Sequence, residues 1–303
     1  MIKRIARIWP LWLIMLAAYF ALLRFDLSFF SDQSKFTWLL RSIALLPGGH
    51  VEGDAAPVYG FPILSVGWTL TYEMYFYLLF GACMLFGRWR WIAMTGWLFL
   101  TVIAVPYSTG QLDMLLLPAA GPVYASHVAS LITNPLILMF AAGALIAGIY
   151  QSGFTINNST CLWAAMFLAA SFAVYQYAAR FRIDHGIFQW GLSLIPLMLV
   201  IALASKRMAI PAPHWLISLG DISFSLYLVH GFVQESFDYI AGFFVTDVTG
   251  WTAIILTTSI SIVAAVLCYQ YLERGLCDAL KRRLLSLWAG PWPNGGSTIT
   301  ALR

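Results

Sequence analysis

The chain has 303 residues, of which 61% are hydrophobic and only 10% charged, and its mean hydropathy is +0.80. A soluble domain carries roughly 25% charged residues, so this composition excludes a soluble globular protein and indicates an integral membrane one. The net charge of +4 comes with no basic face interleaved with aromatics outside the apolar segments, which excludes nucleic-acid binding.

Eight apolar segments follow in chain order, at about 8–24, 66–87, 90–106, 131–149, 160–178, 187–204, 217–240 and 250–272. Each is close to the roughly 20 residues that cross a bilayer as a helix. Only helices satisfy every backbone group in hydrocarbon at these lengths, so the expected fold is an all-α, polytopic transmembrane bundle. The 16% aromatic share suits Trp and Tyr belts at the lipid–water boundary.

The first segment follows the basic start Met1–Arg7, and no Ala-x-Ala site succeeds it, so it reads as a retained span. Pro10 is expected in its first turn, where a missing N–H is no loss. Arg4 and Arg7 lie three apart on one helix face. Two planar guanidinium forks there suit either a phosphate-bearing ligand or lipid headgroups. Between the first two spans, Thr37–Leu46 is too short to cross and carries Arg41, which predicts an interfacial or re-entrant helix in the loop 25–65.

The second segment holds Glu73 as its only charge up to Gly87. A charge at that depth costs several kcal/mol unless it is paired or faces a wet cavity. Thr69, Glu73, Phe76, Tyr77 and Phe80 share one face, with Thr69 and Tyr77 one turn from the acid. Glu73 is therefore either a working carboxylate or a structural acid that locks two helices. Further on, Asn134-Pro135 marks the start of the fourth span. In the seventh, Ser223, Tyr227, His230 and Gln234 form a polar stripe, followed by Glu235 and Asp238. Such a stripe should line a cavity rather than face lipid. His230 could shuttle a proton near neutral pH or simply make an inter-helix hydrogen bond. His50, His127, His185 and His214 fall in loops and read as solvated. The tail 286–303, with Pro291, Pro293, Gly295 and Gly296, reads as a disordered end.

Cys83, Cys161, Cys268 and Cys277 are scattered and form no Cys-x-x-Cys pair, so neither a metal site nor a disulfide framework is expected. No Gly-x-Ser-x-Gly elbow, phosphate-cradling Gly-Lys-Ser/Thr loop or His-Glu-x-x-His is present, which leaves hydrolase readings unsupported. Orientation follows from the basic residues. With the N-terminus inside, cytoplasmic segments carry Lys3, Arg4, Arg7, Arg88, Arg90, Lys206, Arg207, Arg274, Lys281, Arg282, Arg283 and Arg303. Outer segments carry Arg24, Lys35, Arg41, Arg180 and Arg182. Both termini are thus expected to be cytoplasmic.

Three segments together resemble the membrane-bound acyltransferase 3 family, most closely its exopolysaccharide-modifying branch. They are Arg4-x-x-Arg7-Ile8-x-Pro10, Gly67-Trp68-Thr69-Leu70-x-Tyr72-Glu73-x-x-Phe76-Tyr77 and Ile222-Ser223-Phe224-Ser225-Leu226-Tyr227-Leu228-Val229-His230. Asn134-Pro135, Phe140-x-x-Gly143 and Tyr271-Leu272-Glu273 also fit, in the expected order over nearly the whole chain. The resemblance implies a multi-pass protein of the bacterial inner membrane. It implies transfer of an acyl group, often acetyl, from acyl-CoA (acetyl-CoA) onto a sugar hydroxyl of a surface polysaccharide or lipid-linked saccharide precursor. Arg4 and Arg7 match the arginine pair thought to hold the coenzyme's phosphates. Glu73, His230 and Tyr227 become the candidate catalytic groups, and Trp68, Thr69, Tyr72, Tyr77 and Ser223 candidate lining of the substrate cavity.

Members of that family usually begin with two further spans, the first bearing a histidine regarded as the catalytic base, whereas this chain starts at the arginine motif. The resemblance thus implies a domain over 1–285 that is short at its N-terminus, with transfer impaired as one expectation. A sugar hydroxyl needs a general base near neutral pH, and the developing oxyanion needs aimed donors. Glu73 could orient a base or serve as one, and His230 is expected to support the site. Two other classes stay open. A proton-coupled transporter would use Glu73 and His230 as a relay, but repeated halves and broken helices are not legible in the sequence. A non-catalytic partner of polysaccharide assembly proteins would share the fold without turnover.

Overall fold

The computed structural model describes residues 2–23, 26, 28–49, 59–114, 124–241, 250–277, 279, 282 and 283. His50 and the tail 286–303 lie outside the described residues. The chain divides into two compact units, one formed by Met1–Phe25 with Leu219–Arg303 and the other by Asp26–Ser218. No β-strand occurs among the described residues.

Each of the eight apolar segments is helical. They appear as Ile2–Leu23, Gly67–Met84, Gly87–Ser108, Pro135–Gln151, Ser159–Ala178, Gly191–Ser205, the pair His214–Asp221 and Ser223–Ala241, and Trp251–Cys277. Four of these are long and apolar enough to cross a membrane: Arg4–Leu23, Gly87–Ser108, Ser159–Ala178 and Trp251–Cys277. The pair around Ile222 makes a fifth if its two helices, bent by 69°, count as one span. Pro135–Gln151 and Gly191–Ser205 are apolar but shorter. Gly67–Met84 has the length, but Trp68, Thr69, Thr71, Tyr72, Glu73, Tyr75 and Tyr77 dilute its apolarity. The break at Ile222 was not legible in the sequence.

In the first unit, Ile2–Leu23 buries Ile8, Leu11, Trp12, Met15, Leu16 and Tyr19, one stripe at helical spacing. It packs on Ser223–Ala241 and on Tyr269–Cys277. Pro10 lies inside this helix, not in its first turn. The helix begins at Ile2 because Arg4 and Arg7 continue it outward, so the backbone forgoes one bond to Ala6 O. The last helix changes its winding: Trp251–Cys268 is α-helical and Tyr269–Cys277 continues as π-helix.

In the second unit, the short helix expected over Thr37–Leu46 is present as Gln33–Ala44. Asp32 caps it, accepting from Ser34 N at 2.8 Å and Lys35 N at 3.3 Å. Trp38 Nε1 donates to Phe61 O at 2.8 Å, and Ile63 N donates to Ser42 Oγ at 3.0 Å. These bonds hold the segment that leads into Gly67–Met84. On that helix Tyr72, Phe76, Leu79 and Cys83 form the buried stripe, packed with Met94, Leu98 and Val102. Asn134 Oδ1 accepts from Leu136 N at 2.9 Å and starts the Pro135–Gln151 helix as expected. Pro106 has no N–H to offer Val102, and the turn before it widens to π-helix over Leu100–Ala104.

Gly49 (φ +156°) and Gly60 (φ +96°) back onto each other beside Phe61. A Cβ on Gly49 would lie 1.8 Å from Phe61 O. Gly49→Ala is expected to cost about 3 kcal/mol or more, because the obstacle is backbone. Gly110→Ala, also at positive φ (+70°) but with nothing within 4 Å, should cost about 1 kcal/mol. Thermal unfolding in detergent checks the pair; equal shifts would show that crowding at Gly49 is unimportant.

Candidate active site

The π-helical end of the last helix turns Glu273 into the first unit, where its side chain is only 9% exposed. A carboxylate so buried needs its oxygens satisfied. Arg7 Nε and Nη2 donate to Oε1 at 3.1 and 2.9 Å, and Ser225 Oγ donates to Oε2 at 2.9 Å. The Arg7 guanidinium also lies over the Phe224 ring, 5.7 Å from its centre. Arg7 remains 48% exposed, with Nη1 outside this pair. It lines a cavity of about 320 Å³ with Gly220, Asp221, Tyr269, Glu273, Arg274 and Cys277. The second guanidinium of this cavity is Arg274, not Arg4. Arg4 is exposed, one turn further out on the same helix.

Ser223–Ala241 presents a different set of residues to a second cavity. Ser223, Tyr227, His230 and Gln234, at i, i+4, i+7 and i+11, line a space of about 630 Å³ with Leu226, Thr257, Thr258 and Ser261. His230 Nδ1 is 3.2 Å from Leu226 O. A carbonyl oxygen can only accept, so Nδ1 is the donor and Nε2 faces away from this bond. Tyr227 packs beside the imidazole, with ring centres 5.8 Å apart. Glu235, the next acid on this helix, accepts from the Tyr19 hydroxyl. Thr257 and Ser261 return their hydroxyls to carbonyls one turn back, at 2.8 and 2.6 Å.

Glu73 belongs to the second unit. It is half-buried and accepts from the Tyr77 hydroxyl one turn on. Trp68 and Thr69 are half-buried beside it, whereas Tyr72 is 1% exposed and belongs to the core. Tyr72 meets Tyr59 and Trp68 edge-on at 5.4 and 6.1 Å. Tyr59 OH donates to Trp68 O at 2.6 Å, and Tyr59 O is 2.8 Å from His127 Nδ1. His127 and His185 are therefore engaged in packing rather than simply solvated, since His185 stands edge-on to Trp68 at 5.1 Å.

Of the residues singled out from the sequence, Arg7 lines the first cavity and Ser223, Tyr227 and His230 the second, whereas Glu73 lines neither; Glu273 and Arg274 were not singled out as site residues. The last apolar run ends at Leu272, so Glu273 reads as a residue just past the membrane. A signal was present: Tyr271-Leu272-Glu273 puts an acid directly after an apolar span, in a chain whose first span opens with two arginines.

The family model described as an acyltransferase domain matches residues 1–270. No curated protein and no solved structure matches the chain.

The exposures of Arg7 and Glu273 make the pair asymmetric. Arg7→Ala orphans a buried carboxylate and should destabilise by about 2–3 kcal/mol, less than the ~3–5 kcal/mol of a fully buried pair. Glu273→Gln leaves a half-solvated guanidinium and should cost about 1 kcal/mol. Combined, the two changes should cost less than Arg7→Ala alone. Thermal unfolding of the three variants measures this, and strict additivity would contradict it.

Proposed function

The chain belongs to the acyltransferase 3 family, and from that premise we propose that it transfers an acyl group, acetyl in the simplest case, from acyl-CoA to a sugar hydroxyl of a surface polysaccharide or of its lipid-linked precursor. One observation carries this reading: one helix, Ser223–Ala241, both meets the Arg7–Glu273 pair and lines the histidine cavity. Phe224 and Ser225 meet Arg7 and Glu273, while Ser223, Tyr227 and His230 line the other space.

Arg7 and Arg274 supply the cations for the coenzyme's phosphates, with Glu273 and Ser225 fixing the plane of the Arg7 fork. Arg4, at the outer turn, adds long-range attraction for the same anion. Asp221 offers an acceptor to hydroxyl or amine donors of the coenzyme. The excess of Lys and Arg in the segments assigned to the cytoplasm agrees with a donor arriving from that side.

His230 is the group whose tautomer suits a base. Its Nε2 takes the proton of the sugar hydroxyl as that oxygen attacks the thioester carbonyl. A carbon–oxygen bond forms, the carbon–sulfur bond breaks, and the imidazolium returns the proton to the departing sulfur. Free coenzyme and a sugar ester result. In this reading His230, expected from the sequence to support the site, acts as the base. Tyr227 is placed to donate to the developing oxyanion.

In steady-state transfer by purified protein, His230→Gln should lose about 10²-fold or more in kcat. Arg7→Lys should raise the KM for acyl-CoA about tenfold, leaving the acceptor KM unchanged. Full turnover by His230→Gln would remove the base assignment. Proton-coupled solute uptake with no consumption of acyl-CoA would replace the whole reading with transport.

A further inference from the structure

One side chain holds the loop between Ser159–Ala178 and Gly191–Ser205. Gln176, 2% exposed, donates through Nε2 to Arg182 O and to Gln189 O, both at 2.8 Å. Two carbonyls against the nitrogen fix which way the amide faces, since only the NH₂ can meet them. The amide oxygen therefore points away from the loop it staples. That Oε1 is buried and has no hydrogen-bond partner among the described residues. Leaving such a buried acceptor empty is unfavourable.

Gln176 lines a cavity of about 220 Å³ with Tyr177, Ile183, Trp190, Ser193 and Leu194. One water takes ~30 Å³, so the space exceeds that of a bridging water several-fold, yet it is smaller than the ~300–1,000 Å³ of pockets for drug-sized ligands. No charged side chain lines it. The stapled loop is also strained: Arg180 and Arg182 both stand at φ +51°, a left-handed conformation that is unfavourable for a non-glycine residue. Strain of this kind persists where surrounding structure holds it and is common at ligand clamps. Trp190, 41% exposed, packs on His185 at 5.5 Å, and His185 stands on Trp68. An aromatic strip thus runs from the pocket to the first turn of the Glu73 helix, all within the second unit.

We propose that this pocket is a subsite for one neutral sugar ring of the acceptor. The inference rests on the acceptor being a saccharide, as above. A ring hydroxyl donates to Gln176 Oε1, Ser193 Oγ offers a second polar contact, and Trp190 and Tyr177 cover the apolar C–H faces of the ring. The charge bias that assigns Arg7 to the inner side assigns Arg180 and Arg182 to the outer, which suits an acceptor destined for the surface.

Binding without any acyl donor tests it. The purified chain in a detergent free of sugar headgroups is titrated by calorimetry with neutral hexasaccharides of glucose, mannose and galactose. At least one should bind saturably, and Trp190→Ala and Ser193→Val should each weaken it tenfold or more. Trp190→Phe should retain most of the affinity, and Trp215→Ala, an exposed tryptophan elsewhere, should change nothing. Absence of binding by all three sugars, or unchanged affinity in both pocket variants, overturns the subsite. Saccharide binding without transfer from any acyl-CoA would sink the acyl-transfer reading alone. Transfer whose acceptor KM is the same in Trp190→Ala would sink the subsite alone.

Discussion

A carboxylate can remain in an apolar helix bundle only with partners on both oxygens, and Glu273 shows how strongly that requirement shapes this chain. Arg7 takes one oxygen and Ser225 the other. Three helices that are distant in sequence are thereby pinned at one point: the start of the chain, the helix after Ile222 and the π-helical end of the last span. The pair also explains why an interior proline is tolerated in the first helix. A basic extension that is tied down at Arg7 has reason to continue helically past Pro10.

The break at Ile222 then becomes intelligible. It separates His214–Asp221 from Ser223–Ala241, so that Gly220 and Asp221 line the guanidinium cavity while the helix beyond carries Ser225 to Glu273. Chain interruptions at membrane depth occur where the backbone lines a cavity. The same helix supplies the histidine cavity through residues a turn apart. One element therefore meets the Arg7–Glu273 pair through Phe224 and Ser225 and lines the second cavity through Ser223, Tyr227 and His230.

Much of this was legible in the amino-acid order because it depends on local periodicity. Apolar runs of the right length fold as helices whatever surrounds them, so all eight segments were found. The stripe Ser223, Tyr227, His230 and Gln234 also follows from helical spacing alone. Glu73 with Tyr77 is likewise an i, i+4 relation, and hydrogen bonds between residues one turn apart need no tertiary information. The helix expected over Thr37–Leu46 was visible for the same reason, but it begins four residues earlier, where Asp32 caps it, and ends at Ala44, where Leu45 turns left-handed.

What the order of residues could not decide were relations of long sequence separation. Arg7 and Glu273 are 266 positions apart, and no local pattern says which acid meets which guanidinium. Whether an acid just past an apolar run is solvated or buried depends on how the last turn winds, and the π-helix at Tyr269–Cys277 turns it inward. The tautomer of His230 and the unsatisfied oxygen of Gln176 are likewise products of packing. Composition and periodicity determined a helical membrane protein with polar stripes. Only the folded chain determined which polar groups neutralise one another and which are left to work, because that assignment is made by contacts across helices.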